Sequence, residues 1–350
     1  LGANKGQNVV KHRSFIWFIL PTATTMFLFI AVPIVSVLIQ SFHTSHEASL
    51  VETKSCGPFG CTTTVTIDHE AARALRAEKP LGKFVGWDVY FDRRHLAIKE
   101  VREAWASADN IRSFFLKLNN LPFYRAMVFT LTYTFVVTPF MLLFGFMIAL
   151  GVNSLHQRIK GILIFFSLLP MIVSPLIGSL VLFWMIDTRG IIGSALQWIF
   201  SNQDLSLKAS ADLTWIMLIV YGIWHAIPFS FIVLYAGLQT VPKDTLESSQ
   251  IDGASRWQQV RYVIIPHLLP LIIFIALMQL MDNFRVLEPI VGFNSEAHAV
   301  SLSWFIFNDL GGETRLLSSA AASSILTIIG VSVLLAPVLI RNWREFNSTK

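Results

Sequence analysis

Six long stretches of this sequence contain no Asp, Glu, Lys or Arg at all: 14–46, 126–157, 161–186, 213–242, 262–281 and 316–340. Only 14% of the residues are charged, 54% are hydrophobic, and the mean hydropathy is +0.59. This scarcity of charge excludes an ordinary soluble domain. Each stretch holds the roughly 20 apolar residues of a membrane helix, whose backbone groups are all satisfied within the segment. A buried core helix competes as an explanation of any one run, but not of six together.

Other absences narrow the function. No Gly-x-x-x-x-Gly-Lys-Ser/Thr occurs, so the chain does not cradle ATP phosphates by that route, and any energy comes from a partner or a gradient. No period of twenty to fifty residues repeats. The net charge of +5 is spread over loops and forms no basic stripe, which argues against nucleic acid as a partner. There are two cysteines, too few to hold a metal by themselves.

What charge there is sets an orientation. Lys5, Lys11 and Arg13 precede the first run, Arg158 and Lys160 separate the second and third, Lys243, Arg256 and Arg261 follow the fourth, and Arg341, Arg344 and Lys350 close the chain. The opposite short loops hold Arg189, Lys208, Arg285 and Arg315. The positive-inside bias therefore predicts both termini in the cytoplasm. The first run is too long for a signal-peptide core and lacks a clear cleavage site, so a retained anchor is expected.

The expected order is a cytoplasmic N-terminus (1–13), span one (14–42), an extracytoplasmic segment (43–120), span two (121–154) and span three (161–187). Span four (212–240), a cytoplasmic loop (241–263), span five (264–290), span six (316–340) and a cytoplasmic tail (341–350) complete it. The outer segment mixes charges of both signs, as a folded, solvated surface does. Within it, 68–78 and 94–108 have helix-forming composition and 62–67 alternates like a strand. Cys56-Gly-Pro-Phe-Gly-Cys61 is suited to a tight turn in an oxidising compartment. A loop-stapling disulfide between Cys56 and Cys61 is expected, with two free thiols as the alternative. Pro21, Pro33, Pro139, Pro170, Pro175, Pro228 and Pro337 predict kinks in the spans, whether for transport or as packing irregularity.

The loop after span four reads as a helix from Pro242, a reversal at Asp252-Gly253, a second helix over 254–262, and Pro266 and Pro270 where span five begins. Leu246, Ile251 and Trp257 offer apolar contact to a partner. Glu247-Ser248-Ser249, Asp252-Gly253-Ala254, Trp257, Val260, Ile265-Pro266 and Pro270 resemble the cytoplasmic EAA loop of binding-protein-dependent ABC importer permeases, with Ser for both alanines, Val260 for the usual Phe and Ile265 for the usual Leu. The 121–130 segment, the 169–193 segment and 283–290 are similar to sugar permeases of the maltose and glycerol-phosphate type. Glu288 and Pro289 fit that pattern less well.

The resemblance implies an all-α membrane protein of the type I ABC importer permease fold: six transmembrane helices, both termini cytoplasmic, and an extracytoplasmic insertion between the first two. It also implies a second permease, two cytoplasmic ATPase subunits that hold ATP and Mg, an extracytoplasmic solute-binding protein, and residence in the bacterial inner membrane. This chain itself would bind no cofactor or metal and catalyse nothing. Glu247, Ser248, Ser249, Asp252, Gly253, Ala254 and Trp257 would couple to an ATPase, although Glu247 also reads as a plain solvated residue. Polar groups within spans are costly and mark a path, so Tyr221, Trp224, His225, Gln279, Asp282, Asn283 and Arg285 are candidates for solute contact. The three-residue spacing of Asp282 and Arg285 equally predicts an internal ion pair, and His225 an interhelix hydrogen bond. A gradient-driven transporter is the rival from another class; it would want paired carboxylates or a carboxylate–histidine relay buried mid-membrane, and apart from Asp282 the core stretches have none. Within importers, a non-sugar solute is the alternative.

Overall fold

The computed structural model describes residues 5–44, 50–57, 60–67, 73–74, 77–79, 81–202, 205–311 and 316–348. Its helices in chain order are α1 (Lys5–Met26), α2 (Val32–Gln40), α3 (Asp88–Phe91), α4 (Ile98–Ala106), α5 (Ile111–Asn119), α6 (Pro122–Ser154), α7 (Gln157–Ile172), α8 (Pro175–Met185), α9 (Ile191–Ile199), α10 (Ala211–Leu238), α11 (Lys243–Ile251), α12 (Arg256–Gln259), α13 (Ile265–Phe284), α14 (Glu288–Gly292), α15 (Leu302–Gly311) and α16 (Leu317–Ser348). Two short antiparallel pairs join β1 (His43–Thr44) to β4 (Lys83–Phe84) and β2 (Leu50–Gly57) to β3 (Gly60–Ile67). The chain divides into two compact units, one of residues 1–103 with 306–326, the other of 104–305 with 327–350.

In the larger unit, α6 and α10 lie side by side and run in the same direction. Near their starts the rings of Phe129 and Trp215 meet edge to face at 4.9 Å. Midway, Ser230 Oγ donates to the Met141 carbonyl at 2.8 Å. At their ends, Gln239 Nε2 donates to Asn153 Oδ1 at 3.0 Å. Close approach is made possible by Gly145 and Gly222, where an added Cβ would collide with Ser230 and Tyr133 respectively. Two apolar clusters fill the unit. Phe129, Tyr133, Val137, Leu218, Tyr221 and Ile290 anchor the first, and Met141, Phe231, Leu234, Leu268 and Ile275 the second.

Trp17–Gln40, Pro122–Ser154, Ala211–Leu238, Arg256–Phe284 and Leu317–Arg341 are each long and apolar enough to cross a membrane. The expected straight third span is instead α7 and α8, bent by 93° at Val173–Ser174. Pro175 at the first position of α8 accounts for the break: it has no N–H to continue the ladder and pushes Ser174 out of helical backbone. Because α6 and α10 run the same way, the chain between them must return once across their length. Read as one broken crossing, the bent pair brings the candidate spans among the described residues to six.

Other boundaries shift from their expected places. The first helix begins at Lys5 and carries a π-helical turn, Phe27–Ala31, before Pro33. The helix expected over 94–108 starts only at Ile98, because 92–97 forms a turn with Ala97 at φ 44°. The segment between spans five and six is not a plain loop but holds α14 and α15, and α16 continues to Ser348. The strand expected over 62–67 is part of β3, whose register sets Cys56 opposite Cys61. Of the helix expected over 68–78, residues 68–72 and 75–76 lie outside the described residues, while 73–74 and 77–78 are helical.

In the smaller unit, Phe42 packs on Trp87 and Tyr90, and Tyr90 Oη donates to Ser41 Oγ at 2.6 Å. Arg94 Nη2 donates to the buried Asp309 at 3.0 Å, and Ser319 Oγ donates to the other carboxylate oxygen at 2.5 Å. His95, almost wholly buried, places Nε2 3.1 Å from both the Ser319 carbonyl and Ser323 Oγ. Removal from water holds the His95 imidazole below its ordinary pKa, since burial penalises the charged form.

Candidate coupling turn and solute path

The 243–259 segment folds as a helical hairpin. Lys243–Ile251 ends at Gly253, whose φ of +78° is a conformation glycine adopts without penalty. The amides of Asp252, Gly253 and Ala254 return to the carbonyls of Ser248, Gln250 and Ser249 at 2.9–3.0 Å, closing the C-terminus of α11. Ser255 then caps α12: its hydroxyl accepts from the Gln258 amide at 3.3 Å, and the Gln258 side chain accepts from the Ser255 amide at 2.7 Å. The two arms are tied by Gln259 Nε2, which donates to Ser249 Oγ at 3.1 Å. Alanine at position 249 would offer no such acceptor, so the serine that departs from the EAA pattern has a structural use.

α12 does not end as a separate surface helix. It runs through a π-helical turn, Val260–Ile264, straight into α13, giving one helix from Arg256 to Phe284. The wider turn precedes Pro266, whose missing N–H breaks the regular i to i−4 ladder. At the hairpin's tip the polarity is inverted. Glu247, Ser248, Asp252 and Gly253 are exposed and Ser249 and Ala254 half-buried, yet Ile251 is 86% and Trp257 68% exposed. Two large apolar side chains exposed on a mainly polar hairpin are the kind of surface that protein partners cover.

The candidate path residues fall into two groups. Tyr221 is buried, and its hydroxyl donates to the Pro175 carbonyl at 2.7 Å. One turn on, His225 Nε2 lies 3.2 Å from the Val173 carbonyl. Together they hold α10 to both sides of the α7–α8 break, where backbone carbonyls lose helical partners. These two bonds give Tyr221 and His225 a structural role, while Trp224, between them, is 46% exposed.

On α13, Gln279 and Asn283 are buried on one face, and Asn283 Nδ2 donates to Thr138 Oγ1 of α6 at 3.0 Å. Asp282 and Arg285 point the other way, both exposed, in an ion pair of 2.7 Å. The structure thus does not bring all seven candidates to one cavity. Among the described residues no cluster of three or more His, Cys, Asp or Glu could hold a metal.

The cluster of Arg94, His95, Asp309 and Ser319, built round the buried His95 and Asp309, was not foreseen. Its one sequence signal is Asp309, a lone acid in the apolar stretch Leu-Ser-Trp-Phe-Ile-Phe-Asn-Asp-Leu-Gly of α15. A second unforeseen tie is Lys208 Nζ, 2.9 Å from Asp187 and 3.4 Å above the Phe183 ring centroid. The Lys208 ammonium, aided by the Arg189 amide, holds the Asp187 carboxyl below its usual range.

Residues 113–286, which hold α6 to α13 and the hairpin, match the family of binding-protein-dependent transport system inner membrane components. The chain is 26% identical over 232 residues to the trehalose/maltose transport system permease protein MalF of Thermococcus litoralis, covering 63% of this chain and 74% of that one. It is 25% identical over 246 residues to the inner membrane ABC transporter permease protein YcjO of Escherichia coli, covering 65% and 80%. Among solved structures it superposes with a TM-score of 0.66 on a chain of a bacterial ABC transporter involved in import of the acidic polysaccharide alginate, over 98% of this chain and 99% of that one at 19% identity, a likeness of fold. With spans, hairpin and matched region in agreement, this chain belongs to the family of binding-protein-dependent transport system inner membrane components.

Proposed function

We propose that this permease carries a sugar or sugar-like solute across the bacterial inner membrane, with a second permease completing the path. Two cytoplasmic ATPase subunits bind ATP and Mg, and an extracytoplasmic binding protein delivers the solute. The reading of the solute rests on the relatives, whose names include trehalose/maltose, arabinooligosaccharide and glycerol-3-phosphate systems. The distribution of Lys and Arg supports cytoplasmic termini and hairpin, and an outward segment between spans one and two.

The observation that carries the mechanism is the hairpin: a rigid, internally bonded reversal that presents Ile251 and Trp257 to water. In an ATPase groove these side chains would be covered, and closure of the ATPase dimer would move the hairpin as a body, rocking the spans between outward and inward openings. Glu247 is exposed on the same hairpin, and in this reading it pairs with a basic residue or caps a helix start of the ATPase. The gradient-driven rival wants paired carboxylates or a carboxylate–histidine relay buried mid-membrane, and Asp282, the acid beside the fifth uncharged run, is exposed and ion-paired with Arg285. Cys56 and Cys61, opposite one another in register, are proposed to be bonded.

Reconstitution of the complex in liposomes tests this. Gly253→Pro cannot adopt φ +78° because proline is fixed near about −65°. The variant is expected to insert normally and to lose both solute uptake and binding-protein-stimulated ATP hydrolysis. Normal uptake would refute the coupling role, and uptake of amino acids with no uptake of maltose or trehalose would refute the sugar assignment.

A further inference from the structure

Helix α9 presents an apolar face that nothing in its own unit covers. At about 100° per residue, Ile191, Ala195, Trp198 and Ile199 fall on one side of it, and all four are exposed, Trp198 at 82% and Ile191 at 76%. The opposite side is fixed. Gly193 is buried so tightly against the end of α8 that a Cβ there would strike the Asp187 and Ile186 carbonyls, and Ile192 packs onto the first apolar cluster. Beyond the helix, Gln197 Nε2 donates to the Leu205 carbonyl at 3.1 Å, drawing the following chain back.

The level of α9 relative to the bilayer is set by neighbours. Asp187 and Lys208 are joined at 2.9 Å, and Lys208 lies three residues before α10, a membrane span, begins at Ala211. The Asp187–Lys208 pair therefore stands where α10 enters the bilayer, and Gly193 rests on that same Asp187. A nine-residue helix held at this height, with one apolar face carrying a tryptophan, has the form of an interfacial helix. Such helices sink an apolar side about 5–10 Å into the boundary between headgroups and acyl chains, where tryptophan is enriched.

We propose that α9 lies in the lipid headgroup layer, with Ile191, Ala195, Trp198 and Ile199 immersed at the acyl boundary, so that lipid and not a protein partner covers this face. The test uses Ala195→Cys in a Cys56→Ser/Cys61→Ser background, labelled with a nitroxide, in the assembled complex in phosphatidylethanolamine/phosphatidylglycerol nanodiscs. Electron paramagnetic resonance is expected to show greater accessibility to oxygen than to a water-soluble nickel chelate. Dominant nickel accessibility would place the face in water and overturn the proposal. Low accessibility to both would show a protein covering it, with the same consequence. Ser194→Cys, at the rim of the face, repeats the measurement should the first variant fail to assemble.

Discussion

The seam between α6 and α10 and the hairpin of α11 and α12 treat side chains in opposite ways. In the seam, small residues let backbones close up, and Ser230 donates its hydroxyl to the Met141 carbonyl. In lipid an unmet polar group is expensive, so the seam spends its polarity internally. In the hairpin, polar side chains bond locally to hold a shape, as Gln259 does on Ser249, while apolar Ile251 and Trp257 are left outside. The satisfied interior makes a scaffold, and under the proposed coupling the exposed apolar pair would serve as a handle.

The sharpest way to break this contrast is to overfill the seam. At Gly145 a Cβ would meet Ser230 and stand 2.9 Å from the backbone nitrogen of Phe231. Gly145→Leu is expected to cost about 1–3 kcal/mol or more, read as a lower melting temperature and loss of the monodisperse complex. At the hairpin the same measurement should barely move: Trp257→Ala is expected to change stability by less than about 0.5 kcal/mol. Binding of the ATPase subunits should weaken about tenfold or more, measured by co-purification over a dilution series.

The smaller unit extends the seam's rule to a titratable group. His95 has its pKa lowered by burial, so below the ordinary value of 6.5 the unfolded chain takes up a proton that the folded one resists. Stability is full above that value and falls as pH drops toward the folded pKa. Thermal melts of the wild type from neutral to mildly acid pH should show this slope, and His95→Gln should flatten it. The smallest effect is expected at Asp282→Asn, where an exposed ion pair contributes less than about 1 kcal/mol; melting and uptake should stay near wild type.

The spans were legible because absence of charge is a one-dimensional signal that lipid imposes on every residue of a helix. The hairpin was legible too, since Asp252-Gly253 marks a reversal by local backbone chemistry alone. The 93° bend at Val173–Ser174 was not: Pro175 announces a break, but its angle depends on Tyr221 and His225 from a distant helix. The continuity of α12 with α13 was hidden for a similar reason, because Pro266 reads as a boundary unless a π turn absorbs it. Arg94 and Asp309, 215 residues apart, share no pattern that a sequence displays. The interhelix hydrogen bond expected of His225 is present, and the bond of Tyr221 to the Pro175 carbonyl carried no sequence signal.

The unbroken run from Arg256 to Phe284 has a mechanical meaning. Its 29 residues extend about 43 Å at 1.5 Å per residue, and the helical backbone carries on through the π turn and past Pro270, the two places where such a helix bends. Under the proposed coupling, a push on the indole of Trp257 would travel along this one continuous helix to the amide of Asn283 and load its bond to Thr138.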